Sequence, residues 1–409
     1  MNDRVVVTGY GIVTSLGDNP SSFWENIKNG HCGIDYITRF DTSQFKIKVS
    51  SEVKFFDIEK YYSKKELKRL DLFSQFALYA AHQAIENSGL NLNDIPPYRI
   101  CTILGTGIGG ISTIEEGCKI YKDFGPKLSS YYIPTIIPNM AAALIAKEFD
   151  FKGPCYTINT ACASSNNAIG EAFSLLKNDK LDIVITGGTE AAITPTIISG
   201  FSSMGAMSKE TDKYKASIPF DKHRNGFVIG EGAGIIILER LESAKKRNAN
   251  ILAEIVGYSS TCDAYNIVAP SPTGYAAKQA IIMALEEAKI KFKDISYINA
   301  HGTGTVQNDV IETKVIKDVF REYAYEIPIS STKSMTGHLL GASGAIEAIV
   351  CVKALEHQFV PPTIGYEYKD ELCDLNYTPN NGHSHKLNYI LSNSMGFGGH
   401  NSMLIFKKI

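Results

Sequence analysis

None of the eight cysteines forms a CxxC pair, and none stands in a Cys/His cluster of zinc-binding spacing. This argues against a redox dithiol and against a structural metal, and leaves each cysteine to be read first as a small buried apolar residue. Charge of one sign is not in excess either. Lys and Arg number 41 against 43 Asp and Glu, a net charge of -2, so neither nucleic acid nor an anionic membrane surface meets a general attraction. No apolar run approaches the roughly 18 residues that a membrane span needs. The opening MNDRVVVTGYGIV lacks the charged, apolar and cleavage regions of a secretion signal, and the expected location is cytoplasmic. Nucleotide motifs are missing as well. There is no GxxxxGKS/T loop and no GxSxG elbow, and GTGIGG (Gly105 to Gly110) has the wrong third-glycine spacing for a dinucleotide fingerprint.

What is present is an ordinary globular composition, 44% apolar, with no linker or low-complexity segment, and a pattern that occurs twice. ICTILGTGIGG from Ile100 and ISYINAHGTGT from Ile295 each read as a strand entering a Gly/Thr-rich turn. TINTACASSNNAIGEAFSLL and ISSTKSMTGHLLGASGAIEAIVCVKALEH each read as a short strand or turn leading into a helix of small and apolar residues. Each half then closes in strands. Alternation of this kind implies an α/β architecture with largely parallel central pairing and helices on its faces. The boundary is expected near residue 250, giving halves 1–250 and 251–409. The segment from about His338 to Leu355 is apolar almost all round and predicts a helix buried between layers.

Cys162 falls where a strand ends and an apolar helical stripe (Ala168, Ile169, Ala172, Phe173, Leu176) begins. Unpaired N–H groups at a helix N-terminus favour a thiolate, the nucleophilic form. If the halves share one plan, His338 occupies the place equivalent to Cys162, and the two helix ends face one cavity. His301 in NAHGTGT and His338 in KSMTGHLLG are flanked by small residues, and Lys333 is near. A cysteine, two histidines and a lysine suit acyl transfer, with neutral imidazoles donating to developing negative charge. A separate basic cluster, Lys64, Lys65, Lys68 and Arg69, is either a solvated helix face or a docking patch for an acidic partner.

Taken together, TACAS, NAHGTGT, STKSMTGHLLGASGAIEA, SNSMGFGGHN, RVVVTGYGIVTSLG and FDKHRNGFVIGEGAGIIILERLE, in order over about 400 residues, resemble the β-ketoacyl-acyl carrier protein synthases of the type II class. The resemblance implies the thiolase fold, a duplicated five-layer α/β/α/β/α arrangement. It implies Cys162 as acyl-accepting nucleophile, His301 and His338 assisting malonyl decarboxylation, and Lys333 with Glu347 ordering the histidines. Thr303 and Thr305 would bind the phosphopantetheine arm and Asp309 would brace their loop. Backbone N–H groups of Cys162 and Phe397 would form the oxyanion hole. Phe397 would gate a pocket walled by Ile108 and Phe201 and closed by a second subunit's YYIPTII (Tyr131 to Ile137). No cofactor is implied beyond the phosphopantetheine of an acyl carrier protein, the expected partner, which would dock at the basic cluster. A homodimer is implied in fatty-acid synthesis, and a heterodimer with a chain-length factor in a polyketide system. Motifs of both kinds are present: HGTGTVQNDVIET resembles polyketide ketosynthases, FDKHRNGFVIGEGAG the fatty-acid form. Ser165, Asn166 and Met395 depart from the family pattern, and the first two are expected to reshape the pocket or a partner contact.

Overall fold

The computed structural model describes residues 4–178 and 181–409. Val5–Val13 is buried along its whole length and forms β1, the first of ten strands that pair into one mixed sheet. The others are β2 (Ile100–Gly105), β3 (Cys155–Ile158), β4 (Ile183–Glu190), β5 (Gly232–Arg240), β6 (Ala253–Cys262), β7 (Ile295–Asn299), β8 (Ile329–Ser330), β9 (Tyr389–Gly396) and β10 (His400–Lys407). Six helices matter for the site: α1 (Leu72–Ser88), α2 (Met140–Glu148), α3 (Ser164–Leu176), α4 (Tyr275–Ala288), α5 (Val306–Phe320) and α6 (Ser343–His357).

The strand order is β8-β7-β9-β10-β6-β1-β5-β4-β2-β3. It divides into two five-stranded units of identical plan, β3-β2-β4-β5-β1 and β8-β7-β9-β10-β6, joined where Val5–Val7 of β1 pairs antiparallel with Ala253–Ile255 of β6. In each unit the first strand runs antiparallel to the last, and strands alternate with helices up to the fourth strand; a helix, Pro195–Ser203, also precedes the last strand of the first unit, whereas the last two strands of the second follow one another directly. Pairing is less parallel than the sequence pattern suggests. Two pairs in each unit are parallel and two antiparallel, because the last strand of each unit runs opposite to both of its neighbours.

α3 and α6 pack on each other, and each touches strands of both units, while α1 and α2 cover one outer face and α4 and α5 the other. The layers are therefore helix, sheet, helix, sheet, helix. Strands covered on both faces explain why β1 and β4 are buried along their whole length and β5 as far as Glu239. α6 buries every residue from Ser343 to Val352, as its all-round apolarity requires. Its start differs from expectation. The helix begins at Ser343, and a 3-10 turn, Leu340–Ala342, separates it from His338. Among the described residues no helix is long and apolar enough to cross a membrane.

Candidate active site

The N-terminal ends of α3 and α6 meet at the floor of a cleft of about 360 Å³ lined by Cys162, His301 and His338. Cys162 lies two residues before α3, on a turn whose Ala161 has the left-handed φ of 51°. Ser164 holds that turn: its hydroxyl accepts from Thr160 N–H (2.9 Å) and donates to the Ala161 carbonyl (2.6 Å). β9 ends against it at Gly396. A Cβ there would come within 2.7 Å of the Thr160 carbonyl oxygen and 3.2 Å of the Cys162 nitrogen, so glycine is what lets the two backbones touch. The backbone N–H groups of Phe397 and Cys162 both favour the ionised form of the thiol. Even so, burial dominates and pushes the Cys162 thiol up to about 12, with Lys333 and the two N–H groups pulling down and Glu190 adding to the rise. Desolvation therefore opposes the thiolate that the helix terminus favours, and holds Cys162 toward its protonated form.

The equivalence of Cys162 and His338 is corrected. Leu340, with φ 48°, precedes Gly341 as Ala161 precedes Cys162, and α6 starts two residues after Gly341 as α3 starts two after Cys162. Gly341 is therefore the counterpart of Cys162, and His338 stands three residues earlier. It reaches the cleft because its backbone is fixed by a separate strand-like contact: its N–H donates to the Val228 carbonyl (2.7 Å) and its carbonyl accepts from Gly230 N–H (2.8 Å). Its Nδ1 pairs with Ser343 Oγ at 2.9 Å, and Phe227 packs edge-on against the ring, 5.3 Å between centroids. Nε2 is left for the cleft.

His301 follows β7. Its N–H and that of Gly302 each donate to buried Glu312 at 2.8 Å. Lys333 donates to the His301 carbonyl (2.7 Å), lies 3.5 Å from its Nδ1, and forms a buried ion pair with Glu347. The two imidazoles stand perpendicular, 5.4 Å apart. Burial, then Lys333 and for His301 also His338, hold both well below their usual 6.5. Both rings are neutral. Burial pushes Glu347 up to about 7 against the opposing pull of Lys333.

This arrangement makes stability depend on pH. The unfolded chain protonates both histidines below 6.5 while the folded chain does not. Their neutral burial is therefore without penalty above that pH, and stability falls below it by about 1.4 kcal/mol per pH unit for each ring. Urea unfolding of His301→Asn/His338→Asn is expected to show a shallower loss of stability between 6.5 and about pH 5 than the parent. Equal slopes would mean that the rings titrate in the folded state.

The remaining residues singled out in the sequence fall into three groups. Thr303, Thr305, Phe201 and Phe397 line the cleft, with Thr303 and Thr305 hydroxyls 2.9 Å apart and the Phe201 and Phe397 rings 6.3 Å apart. Asp309 is buried beneath them and accepts from Gly304 N–H (3.3 Å) and Phe220 N–H (2.8 Å). Ile108 lies outside the cleft wall, in an apolar cluster with Cys162, Ile193, Ile198, Leu340 and Phe201. Lys64, Lys65, Lys68 and Arg69 are away from the cleft lining on an exposed surface, where the Arg69 guanidinium sits 4.5 Å over the Tyr131 ring. Met395 lines the cleft, but Ser165 and Asn166 do not. Both are fully buried: Ser165 Oγ accepts from Ala345 N–H of α6 (3.0 Å), and Asn166 Nδ2 donates to the Ser402 carbonyl of β10 (2.8 Å). They bind the two halves together instead of shaping the pocket. Glu190, Glu312 and Ser343 went unassigned in the sequence; the one available signal was, for Glu190, an acidic residue closing an otherwise apolar and small-residue segment.

Residues 2–244 match the family described as Beta-ketoacyl synthase, N-terminal domain, and residues 252–367 match Beta-ketoacyl synthase, C-terminal domain. The chain belongs to the β-ketoacyl synthases. A 3-oxoacyl-[acyl-carrier-protein] synthase 2 from Synechocystis is 49% identical to this synthase over 99% of the chain and 98% of the relative. Among solved structures, the ishigamide ketosynthase/chain length factor matches with a TM-score of 0.94 at 32% identity, covering 100% of both chains. A type II polyketide synthase acyl-carrier protein in complex with its ketosynthase bound to the hexaketide matches at 0.91 and 34%, again over 100% of both. The synthase has the thiolase fold of these ketosynthases.

Proposed function

We propose that this synthase elongates acyl chains on an acyl carrier protein by decarboxylative condensation with malonyl-carrier, using Cys162 as nucleophile and His301, His338 and Lys333 as the supporting set. The observation that carries the reading is the convergence, in one cleft, of the Cys162 thiol with two neutral imidazoles beside a buried Lys–Glu pair. The halves 1–250 and 251–409 supply the nucleophile and the histidines respectively.

In the first half-reaction the Cys162 sulfur bonds to the acyl carbon, the carrier C–S bond breaks, and the thiol proton passes through an imidazole to the departing phosphopantetheine thiolate. A malonyl-carrier then enters, with its arm along Thr303 and Thr305. Loss of carbon dioxide leaves an enolate whose oxygen accepts from the histidine N–H groups. Its carbon attacks the acyl-cysteine, and the tetrahedral oxyanion sits on the N–H groups of Cys162 and Phe397 before the sulfur leaves. Lys333, paired with Glu347 and bonded to the His301 carbonyl, keeps positive charge beside the rings and so keeps them neutral. No further cofactor enters this sequence.

Fatty-acid elongation by a homodimer is favoured over a polyketide heterodimer, because the curated relative named above is 49% identical and the polyketide ketosynthases 32 and 34%. A second subunit has a face to cover: Tyr121, Phe124, Leu128, Tyr131, Ile133 and Ile137 are all exposed around the short helix Tyr132–Ile136. The basic cluster adjoins that face through Arg69 and Tyr131, where an acidic carrier would dock. Purified alone, the chain is expected to elute as a dimer and to condense acyl- with malonyl-carrier. Lys65→Glu/Arg69→Glu should raise KM for the carrier by about three- to tenfold with little change in kcat. Activity that requires a second, cysteine-lacking subunit would favour the polyketide alternative, and an unchanged KM would return the cluster to a solvated helix face.

A further inference from the structure

Glu190 closes β4 in the middle of the molecule with no exposed surface. A carboxyl group so placed requires a reason, since burial penalises its charge and pushes its pKa up. Its partners supply one. Oε2 accepts from Gly107 N–H (2.7 Å) and Gly341 N–H (3.0 Å), and Oε1 from Ile108 N–H (3.1 Å) and the Thr106 hydroxyl (3.1 Å). Thr106 to Ile108 belong to the first half, Gly341 to the second. The two loops abut so closely that a Cβ on Gly341 would lie 2.2 Å from the Gly107 nitrogen.

Each loop carries one aliphatic side chain into the apolar cluster around Cys162: Ile108 from the first, and Leu340, next to Gly341, from the second. Leu340 also lines the open cleft whereas Ile108 lies outside it, so an acyl chain that extends from Cys162 into this cluster must move Ile108. The repeat provides an independent parallel. Glu312 accepts from two successive N–H groups, His301 and Gly302, in the loop after β7, and Glu190 does the same for Gly107 and Ile108 in the loop after the equivalent strand β2. One buried glutamate sets the histidine loop; the other sets the acyl wall.

We infer that Glu190 is a positioning residue that clamps the Ile108 and Leu340 loops together and thereby sets which acyl groups Cys162 accepts. The inference rests on the condensing reading above, because it takes the cluster behind Cys162 as the path of the acyl chain. Glu190→Gln keeps the size of the side chain but replaces one acceptor with a donor that faces N–H groups. Weakening the clamp lowers the cost of moving Ile108, which matters for long chains and little for short ones.

The test is acylation of Cys162 by hexanoyl- and palmitoyl-carrier protein, followed by intact-protein mass spectrometry. Glu190→Gln is expected to raise the palmitoyl to hexanoyl ratio of kcat/KM by about fivefold, the equivalent of roughly one lost hydrogen bond. Ile108→Ala should raise the same ratio, and Glu190→Gln should add nothing further in that background, because both act through one side chain. A ratio within about twofold of the parent, a fall, or full additivity with Ile108→Ala overturns the inference. If Glu190→Gln does not fold, Thr106→Val removes one of the four bonds and is held to the same direction of change and the same non-additivity. Failure of the parent to acylate at all would instead sink the condensing reading, so the two failures are distinct.

Discussion

Cys162→Ala is expected to abolish acylation and to lower condensation by about four orders of magnitude or more, because the proposed acyl intermediate forms on its sulfur. Of the eight cysteines, Cys162 alone lines the cleft among the described residues. With burial pushing the thiol up, little of it is ionised at neutral pH. Reaction therefore depends on proton transfer during attack and not on a standing thiolate. Slow alkylation of the resting protein by iodoacetamide would accompany rapid acylation by a carrier thioester. The alanine variant should fold normally, since it loses one buried sulfur, a cost of about 1 kcal/mol. The decisive measurement is the mass of the protein after incubation with acyl-carrier. An acyl adduct equal to that of the parent would exclude Cys162 as nucleophile.

The second large effect concerns the histidines, and it differs between the two half-reactions. Enolate formation places negative charge on an oxygen that needs both donors, and removing one preorganised donor costs about 10²- to 10³-fold. His301→Ala or His338→Ala should thus reduce malonyl decarboxylation and condensation by that factor. Transacylation should fall much less, because either neutral ring can relay the cysteine proton and one remains. Their supports also differ. His338 is fixed by Val228, Gly230 and Ser343, whereas His301 is fixed by Glu312 and Lys333, so each substitution leaves the other ring in place. Acylation measured by mass and carbon dioxide release measured separately would test this. Equal losses in both steps would assign the rings to general positioning, and unchanged condensation would remove them from the reaction.

Much of this was legible in the residues. Strand and helix periodicity placed β2, β3, α3 and β4 against β7, β8, α6 and β9, because burial of one face imposes a local repeat that survives in any one-dimensional reading. The chemistry-bearing types were legible too: a cysteine at a strand-to-helix turn, and histidines among glycines. Less legible were positions set by a few residues of loop. His338 was read at the start of a helix because the apolar run is continuous through Leu340–Ala342, and nothing in hydropathy marks the 3-10 turn that intervenes. Ser165 and Asn166 looked like pocket residues from their nearness to Cys162. One turn of helix carries them round to face α6 and β10 instead.

By itself, then, the sequence determined the element order, the duplication, the apolar middle helices and the residue types available for acyl transfer, since each depends on local pattern and composition. Three things were decided by tertiary structure alone. The packing of two halves brought Cys162, His301 and His338 into one cleft. Burial, which sums over atoms from the whole chain, held the thiol toward its protonated form and kept the imidazoles neutral where a helix terminus alone argued for a thiolate. And Glu190 acquired partners from loops on either side of the duplication, because a buried carboxyl is satisfied only by whatever donors the finished fold places within reach.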